Sequence, residues 1–186
     1  DALEQGSELS KFYPTSVMGT GADILFPWIS RMIMLGLYRT GKIPFKDTYF
    51  NGLVLDENGQ KMSKSKGNVI NPIEILSQYG SDALRLGIVA NRSAAQNQAL
   101  SMGKIIAGRN YCNKLWNISR FIGDKLGDDF TPSNTPQAKS LADHWIISEL
   151  NKTCLEIGNH LDKFRFAEAS EALNRAVGDS VADWYI

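Results

Sequence analysis

Lys61, Lys64 and Lys66 are interleaved with Ser63 and Ser65 in the run Lys61-Met62-Ser63-Lys64-Ser65, which Lys66, Gly67 and Asn68 follow. Three ammonium groups and two hydroxyls on one short polar segment are the chemistry of a phosphate-handling loop. On a mobile loop such charges can close on a leaving pyrophosphate and stabilise it more than the ground state. Lysine serves here as a movable point charge. A plain solvated basic turn is the competing reading, because charged side chains are mostly exposed. The other common phosphate motif, Gly-x-x-x-x-Gly-Lys-Ser/Thr, occurs nowhere in the chain.

The flanks say what must hold this segment. Before it, Asp56-Glu57-Asn58-Gly59 is turn chemistry, with Asn58 and Gly59 both suited to positive φ. After it, Asn71 is placed to cap a helix, Pro72 to take its first position and Glu74 to close a capping box. The lysines therefore lie on a loop between a strand and a helix. Upstream, Lys11–Thr20 is β-branched and aromatic and runs into Gly19-Thr20-Gly21, a strand feeding a glycine turn, after a polar and frayed residues 1–10. Residues Ala22–Tyr38 switch to helical spacing, with Ile24, Trp28, Met32 and Leu35 on one side and Pro27 early in the helix. Thr48–Leu55 returns to strand character. Strand, helix and strand make one βαβ unit of a parallel sheet, whose ligands bind at the carboxyl ends of the strands. That rule brings Gly21 and Asp23 together with the lysine loop. Asp23 can accept both hydroxyls of a ribose, or it can be a helix N-terminal acid favoured by the dipole; spacing does not separate the two.

Beyond the loop, Pro72–Tyr79 and Ser81–Val89 read as short helices split by Gly80, and 91–97 as a polar hinge. Three antiparallel helices follow, each burying one stripe. The first, about 99–124, sets Arg109, Asn113, Trp116 and Arg120 on one face and Cys112, Leu115, Ser119 and Ile122 on another. Guanidiniums and amides bind phosphates and base edges, and Trp116 or Phe121 can stack a splayed base; a tryptophan at helical spacing can equally be core. The second helix is expected to start with Thr135 as cap and Pro136 as first residue, with Ile146, Leu150, Thr153, Ile157 and Leu161 in register. The third, from about Phe166, continues Ala169, Leu173, Ala176, Val177, Ser180 and Trp184.

The 186 residues, 43% of them apolar, suffice for one ordinary domain or two small ones. Net charge is zero, but residues 61–120 hold nine Lys/Arg against two Asp/Glu, a +7 segment between two acidic ones. That is a footprint for a polyanion, or else a solvated basic surface. The apolar run Met32–Leu35 stops at Gly36, far short of the ~20 residues of a membrane span, and no signal peptide is visible. Cys112 and Cys154 read as reduced core thiols of a cytoplasmic protein, and His144 and His160 as structural or exposed, with no metal site.

Lys61-Met62-Ser63-Lys64-Ser65 with Lys66-Gly67-Asn68 resembles the signature loop of the class I aminoacyl-tRNA synthetases. Tyr13-Pro14-Thr15-Ser16, Thr20-Gly21-Ala22-Asp23-Ile24 and Trp28–Met34, at the expected distance before it, look like the valyl-tRNA branch of that family rather than the isoleucyl branch. Arg109–Asn117 and Asp183-Trp184-Tyr185-Ile186 resemble the start of its anticodon-binding bundle. The resemblance implies a mixed α/β fold. Residues 1–68 would be the end of a Rossmann-type catalytic domain, 69–97 a helical connector near the inner corner of tRNA, and 98–186 an incomplete anticodon-binding helical bundle. It implies a monomer with ATP, Mg as the counter-ion of ATP, valine and tRNA as its partners. Lys61 and Lys64 would be catalytic, with Gly21, Asp23, Met62, Ser63 and Ser65 at ATP and Ile24 at the amino-acid pocket, where a plain core role stays open. Arg109, Asn113, Trp116, Asn117, Arg120 and Phe121 would meet tRNA. No His-x-Gly-His, the other phosphate signature of the family, is present. The expectation is thus a fragment that alone makes no valyl-adenylate. A stand-alone helical RNA-binding module and a helical protein-interaction domain are the alternatives.

Overall fold

The computed structural model describes residues 6–90, 94–133, 135 and 137–186. Internal contacts divide the chain into two units. One runs up to Leu55 and takes in Ala94–Gln98; the other starts at Asp56 and resumes at Ala99 to reach Ile186.

The first unit holds the βαβ element that the residue pattern implies. Strand β1 (Thr15–Gly21) pairs in parallel with β2 (Phe45–Asn51), in a register from Thr15↔Phe45 to Gly21↔Asn51. Both strands begin and end away from the expected limits. Phe12 belongs to a short helix, α1 (Glu8–Phe12), because the Ser7 hydroxyl accepts from Ser10 N at 3.1 Å and Glu8 sits in the first turn. The second strand stops at Asn51 and resumes as β3 (Val54–Leu55), because Gly52 passes directly against the Gln96 backbone and Leu53 N donates to Asn97 Oδ1 at 2.8 Å.

The crossover is not one α-helix. A 3-10 turn (Ala22–Ile24) leads into a wide π-type segment (Leu25–Ser30) and then α2 (Arg31–Thr40). The wide turn encloses Pro27, which lacks the donor a regular turn uses, and the Ser30 hydroxyl donates to Leu25 O five residues back at 3.3 Å. The extra residue per turn shifts the face. Ile29 is the buried position, while Ile24, Trp28 and Leu35 of the expected stripe are exposed. Gly41, at φ 68°, ends α2.

In the second unit α3 (Pro72–Tyr79) and α4 (Ser81–Val89) match their sequence limits, split by Gly80 at φ 86°. The following helix, α5 (Met102–Leu126), crosses α4 closely. Gly108 and Gly87 permit the approach, since a Cβ on Gly108 would stand 2.7 Å from Ala83 O. Ile105, fully enclosed, and Ala83 centre that contact, and Ile146, Ala169, Ala172 and Ala176 extend the core.

Two further expectations are corrected. Helix α6 (Leu141–Asp162) starts six residues after Thr135, with Ser140 as its cap; Pro136 lies outside the described residues. Ser140 wins because Asp143 completes a capping box, its Oδ2 accepting from Ser140 N at 2.9 Å and from Lys139 N at 2.8 Å. Along α7 (Phe166–Asn174) and the wide helical segment Arg175–Tyr185, the buried line is Ala169, Ala172, Ala176 and Gly178. Leu173 and Trp184 are exposed, as are Leu150 and Leu161 of α6. Ala169 and Ala176 of the expected stripe are buried, and beyond Ala176 the wide geometry turns Trp184 off the 3.6-residue line.

Asp143 also ties the far end of the chain, accepting from Tyr185 Oη at 2.9 Å. The Lys139 amide, the Tyr185 hydroxyl and the Ser140 amide hold its carboxyl at about 2. Its folded value lies below the unfolded one near 3.8, so its contribution is complete above that pH and fades as pH falls towards about 2. Acid titration of melting temperature is expected to show an additional loss between pH 4 and pH 2 that Asp143→Asn diminishes.

Candidate functional site

The lysine loop lies in the second unit and is closed on itself. Asp56, 7% exposed, opens it with a turn in which Gly59 N donates to Asp56 O at 3.0 Å and Gly59 alone takes positive φ, at 75°. Asn58 does not take the left-handed form; its amide donates to Asp56 Oδ1 at 3.1 Å instead, and Gln60 N to the same oxygen at 2.7 Å. The chain then passes Lys61, Met62 and Ser63 into a 3-10 turn, Lys64–Lys66, ended by Gly67 at φ 67°. Asn68 returns across the opening, its Oδ1 accepting from Ser63 N at 2.9 Å and its Nδ2 donating to Asp56 Oδ2 at 2.8 Å and to Lys61 O at 3.3 Å. Ile70 N points at Met62 Sδ, 3.5 Å away. The Ser63 and Ser65 hydroxyls share a hydrogen at 3.2 Å.

This geometry leaves the charges available. Lys61, Lys64 and Lys66 are exposed, and among the described residues none of them forms an ion pair. The Asp56 carboxyl is held below its usual range, first by the Asn68 amide and then by Gln60 N, so it stays an acceptor at neutral pH. Helix α3 carries the chain away as its sequence predicts. Asn71 Oδ1 accepts from Ile73 N at 3.1 Å and Pro72 takes the first helical position. Glu74 meets the Asn71 side-chain amide at 2.8 Å rather than its backbone N–H, so the cap is a side-chain pair and not a capping box.

In the first unit, Gly21 ends β1 and Asp23 folds back over it. A Cβ on Gly21 would lie 2.6 Å from Asp23 Oδ1, so a side chain there would displace the carboxylate. Thr20 beside it is buried, whereas Ile24 is 40% exposed and does not fill a core position in the described chain.

The third group lies along α5. Arg109, Asn113, Trp116, Asn117, Arg120 and Phe121 are all exposed, Trp116 at 68%, so the tryptophan is a surface side chain here and not core. Arg109 is engaged locally, its guanidinium 5.7 Å from the centre of the Tyr79 ring and donating to Asn110 Oδ1 at 3.2 Å. Lys125 Nζ lies 5.6 Å from the centre of the Phe121 ring. Asn113, Asn117 and Phe121, with Asn110 and Lys114, line an open groove of about 540 Å³ that Asp183 and Ile186 complete. Lys114 fixes the groove by donating to Gly178 O at 2.7 Å and to Asp183 Oδ1 at 3.0 Å. The repeated asparagines at 110, 113 and 117 are a signal for Asn110 in this groove, whereas the Lys114–Asp183 tie joins residues far apart in sequence and has no signal of its own.

Comparison with known proteins adds the decisive observation. The profile of tRNA synthetases class I (I, L, M and V) matches residues 2–101, more than half of the chain. The chain belongs to that family. A second profile, the anticodon-binding domain of tRNA ligase, matches residues 143–186. A valine–tRNA ligase of Dehalococcoides mccartyi is 41% identical over 98% of the chain and 21% of its own length. That of Syntrophotalea carbinolica is 45% identical over 96% of the chain and 20% of its own length. The chain thus spans about a fifth of the length of these relatives. The fold is shared with LeuRS of Agrobacterium radiobacter K84, solved as a LeuRS-tRNA-LeuAMS complex, at TM-score 0.77 and 21% identity over 90% of this chain and 23% of that one. It is shared too with Mycobacterium tuberculosis methionyl-tRNA synthetase bound by methionyl-adenylate, at TM-score 0.74 and 23% identity over 93% and 34% of the two chains. The mixed α/β class expected from the sequence agrees with both. The preference for the valyl over the isoleucyl branch agrees with the names of the relatives.

Proposed function

We propose that this chain is the segment of a valine–tRNA ligase that links valine activation to tRNA binding. In the first step the valine carboxylate forms a bond to the α-phosphate of ATP, and the bond from that phosphorus to the bridging oxygen breaks, releasing pyrophosphate. In the second, a terminal ribose hydroxyl of tRNA attacks the valyl carbonyl; AMP leaves and the hydroxyl proton passes to solvent. Lys61 and Lys64 neutralise the charge that grows on the leaving pyrophosphate, with Ser63 and Ser65 adding weaker hydrogen bonds. Gly21 and Asp23 take the adenosine ribose, the glycine by close backbone approach and the carboxylate by accepting its hydroxyls. Ile24 borders the amino-acid pocket. Residues 1–68 act as catalytic portion, 69–97 as connector and 98–186 as anticodon-binding bundle, in a cytoplasmic monomer.

The observation that carries this reading is the lysine loop itself: a closed, hydrogen-bonded turn presenting exposed ammonium groups that form no ion pair among the described residues. Magnesium enters as the counter-ion of ATP. On α5, the Asn113, Asn117 and Phe121 groove suits an unstacked base, the amides for its edges and the ring for its face.

The test is ATP–pyrophosphate exchange by the full-length protein that carries this chain. Valine is expected to support exchange better than isoleucine by about tenfold to two-hundredfold in kcat/KM, the reach of a single methylene in an apolar pocket. Exchange that is independent of amino acid, or driven better by isoleucine, would overturn the assignment.

A further inference from the structure

The phosphate-handling reading uses the lysines and serines of the loop and leaves Asn68 and Asp56 without a task. Both are unusually committed. The Asp56 carboxylate, almost wholly enclosed, accepts from Asn58 N, Gln60 N and Asn68 Nδ2. The Asn68 carboxamide uses both of its ends: Oδ1 takes the Ser63 amide, and Nδ2 reaches Asp56 Oδ2 and Lys61 O. Lys61 and Ser63 flank Met62, so one side chain grips the loop immediately before and after its second residue. On the far side, Lys66 N donates to Ser63 O at 3.2 Å and Gly67 N to Lys64 O at 3.3 Å, and the left-handed Gly67 turns the chain back so that Asn68 arrives at the opening.

We infer that Asn68 is a positioning residue for the lysine loop: braced by Asp56, its carboxamide sets the backbone path from Lys61 to Ser63 and thereby where the ammonium groups can reach. This deepens the reading of the loop as the pyrophosphate-handling element and rests on it. Few side chains can replace the amide. A carboxylate at 68 would keep the acceptor for Ser63 N but confront Asp56 with a second negative charge, and an apolar side chain would strand both Ser63 N–H and an Asp56 oxygen. A serine hydroxyl also donates and accepts, but from a single atom, whereas the carboxamide meets Ser63 N and Asp56 Oδ2 with two separate atoms. Because Lys61, Lys64 and Lys66 make no ion pairs among the described residues, the backbone path is the main constraint on their position.

The test uses the full-length protein in three forms: Asn68→Ala, Asn68→Asp, and the exchange Asp56→Asn with Asn68→Asp. In the exchanged pair the amide at 56 donates to the carboxylate at 68, which still accepts from Ser63 N, so only the long contact to Lys61 O is lost. Each single substitution is expected to lower kcat for valine-dependent exchange by about tenfold to a hundredfold, the usual effect of a misplaced catalytic group, with KM for valine unchanged. The exchanged pair is expected to return most of that loss. A second readout needs no activity. Hydrogen exchange at the Ser63 amide, resolved by fragmentation mass spectrometry, is expected to be slow in the unaltered protein, at least tenfold faster in Asn68→Ala, and slow again in the exchanged pair. Parental kcat in Asn68→Ala, an exchanged pair no better than Asn68→Asp, or a Ser63 amide equally fast in all forms would overturn the inference. An unaltered protein without valine-dependent exchange but with Asn68-dependent protection at Ser63 would refute the ligase reading while supporting the brace.

Discussion

Lys64→Ala in the full-length protein is expected to slow valine-dependent pyrophosphate exchange by about a hundredfold to a thousandfold, the cost of removing one well-placed donor from a developing anion. Valine binding should change little, because the side chain lies in the 3-10 turn Lys64–Lys66 and is proposed to meet pyrophosphate, not the amino acid. The size of the effect follows from how little else the ammonium does. It is exposed and unpaired among the described residues, so its removal disturbs no ion pair and leaves no buried group unsatisfied. The loss should therefore fall on kcat rather than on stability. Lys64→Arg keeps the charge but replaces a compact ammonium by a planar fork, and partial activity is the expected result. An unchanged exchange rate in Lys64→Ala, measured with saturating valine and ATP, would remove Lys64 from the mechanism.

The second large effect is expected on the α5 face. Trp116 and Phe121 are exposed aromatic rings on a helix whose neighbouring positions are Asn113, Asn117 and Arg120. Stacking a base on an aromatic side chain contributes about 1–3 kcal/mol by alanine substitution, so Trp116→Ala combined with Phe121→Ala should weaken tRNA binding by about tenfold to several hundredfold. Pyrophosphate exchange, which needs no tRNA, should be unaffected. Arg120→Ala should instead flatten the salt dependence of binding, because a guanidinium on a phosphate releases counterions whereas a stacked ring does not. Filter binding of valine tRNA across a salt series separates the two. Full affinity in the double-alanine protein would turn the exposed aromatic face into a surface with another purpose.

These two regions were legible in the sequence to different depths. The lysine loop, its glycine turn and the Asn71-Pro72 helix start could be read because each is local chemistry: a side chain and a backbone group within a few residues decide the conformation. The parallel pairing of β1 and β2 joins residues far apart in sequence and was readable for another reason, because strand, crossover and strand in succession make a parallel pair. The Asp56–Asn68 brace was not, since its partners are twelve residues apart and obey no period. Helix limits failed where two signals competed. Thr135-Pro136 has the composition of a helix start, but Ser140 has an aspartate three residues on, and the reciprocal cap prevailed. The expected stripe in Ala22–Tyr38 missed Ile29, and that in Phe166–Trp184 held the buried Ala169 and Ala176 but not Ala172 and Gly178; both stretches contain wide helical turns, which break the 3.6-residue period. Exposure of Trp116 lies further out of reach, since periodicity places a residue on a face but does not say what covers that face.

The most direct measurement of the central claim is formation of valyl-tRNA by the full-length protein, with valine tRNA and isoleucine tRNA compared under the same salt. The account predicts a valyl ester on valine tRNA, dependent on ATP, abolished or nearly so by Lys64→Ala and weakened through the tRNA KM by loss of Trp116 and Phe121. No valyl ester on either tRNA, or equal charging of both, would contradict it.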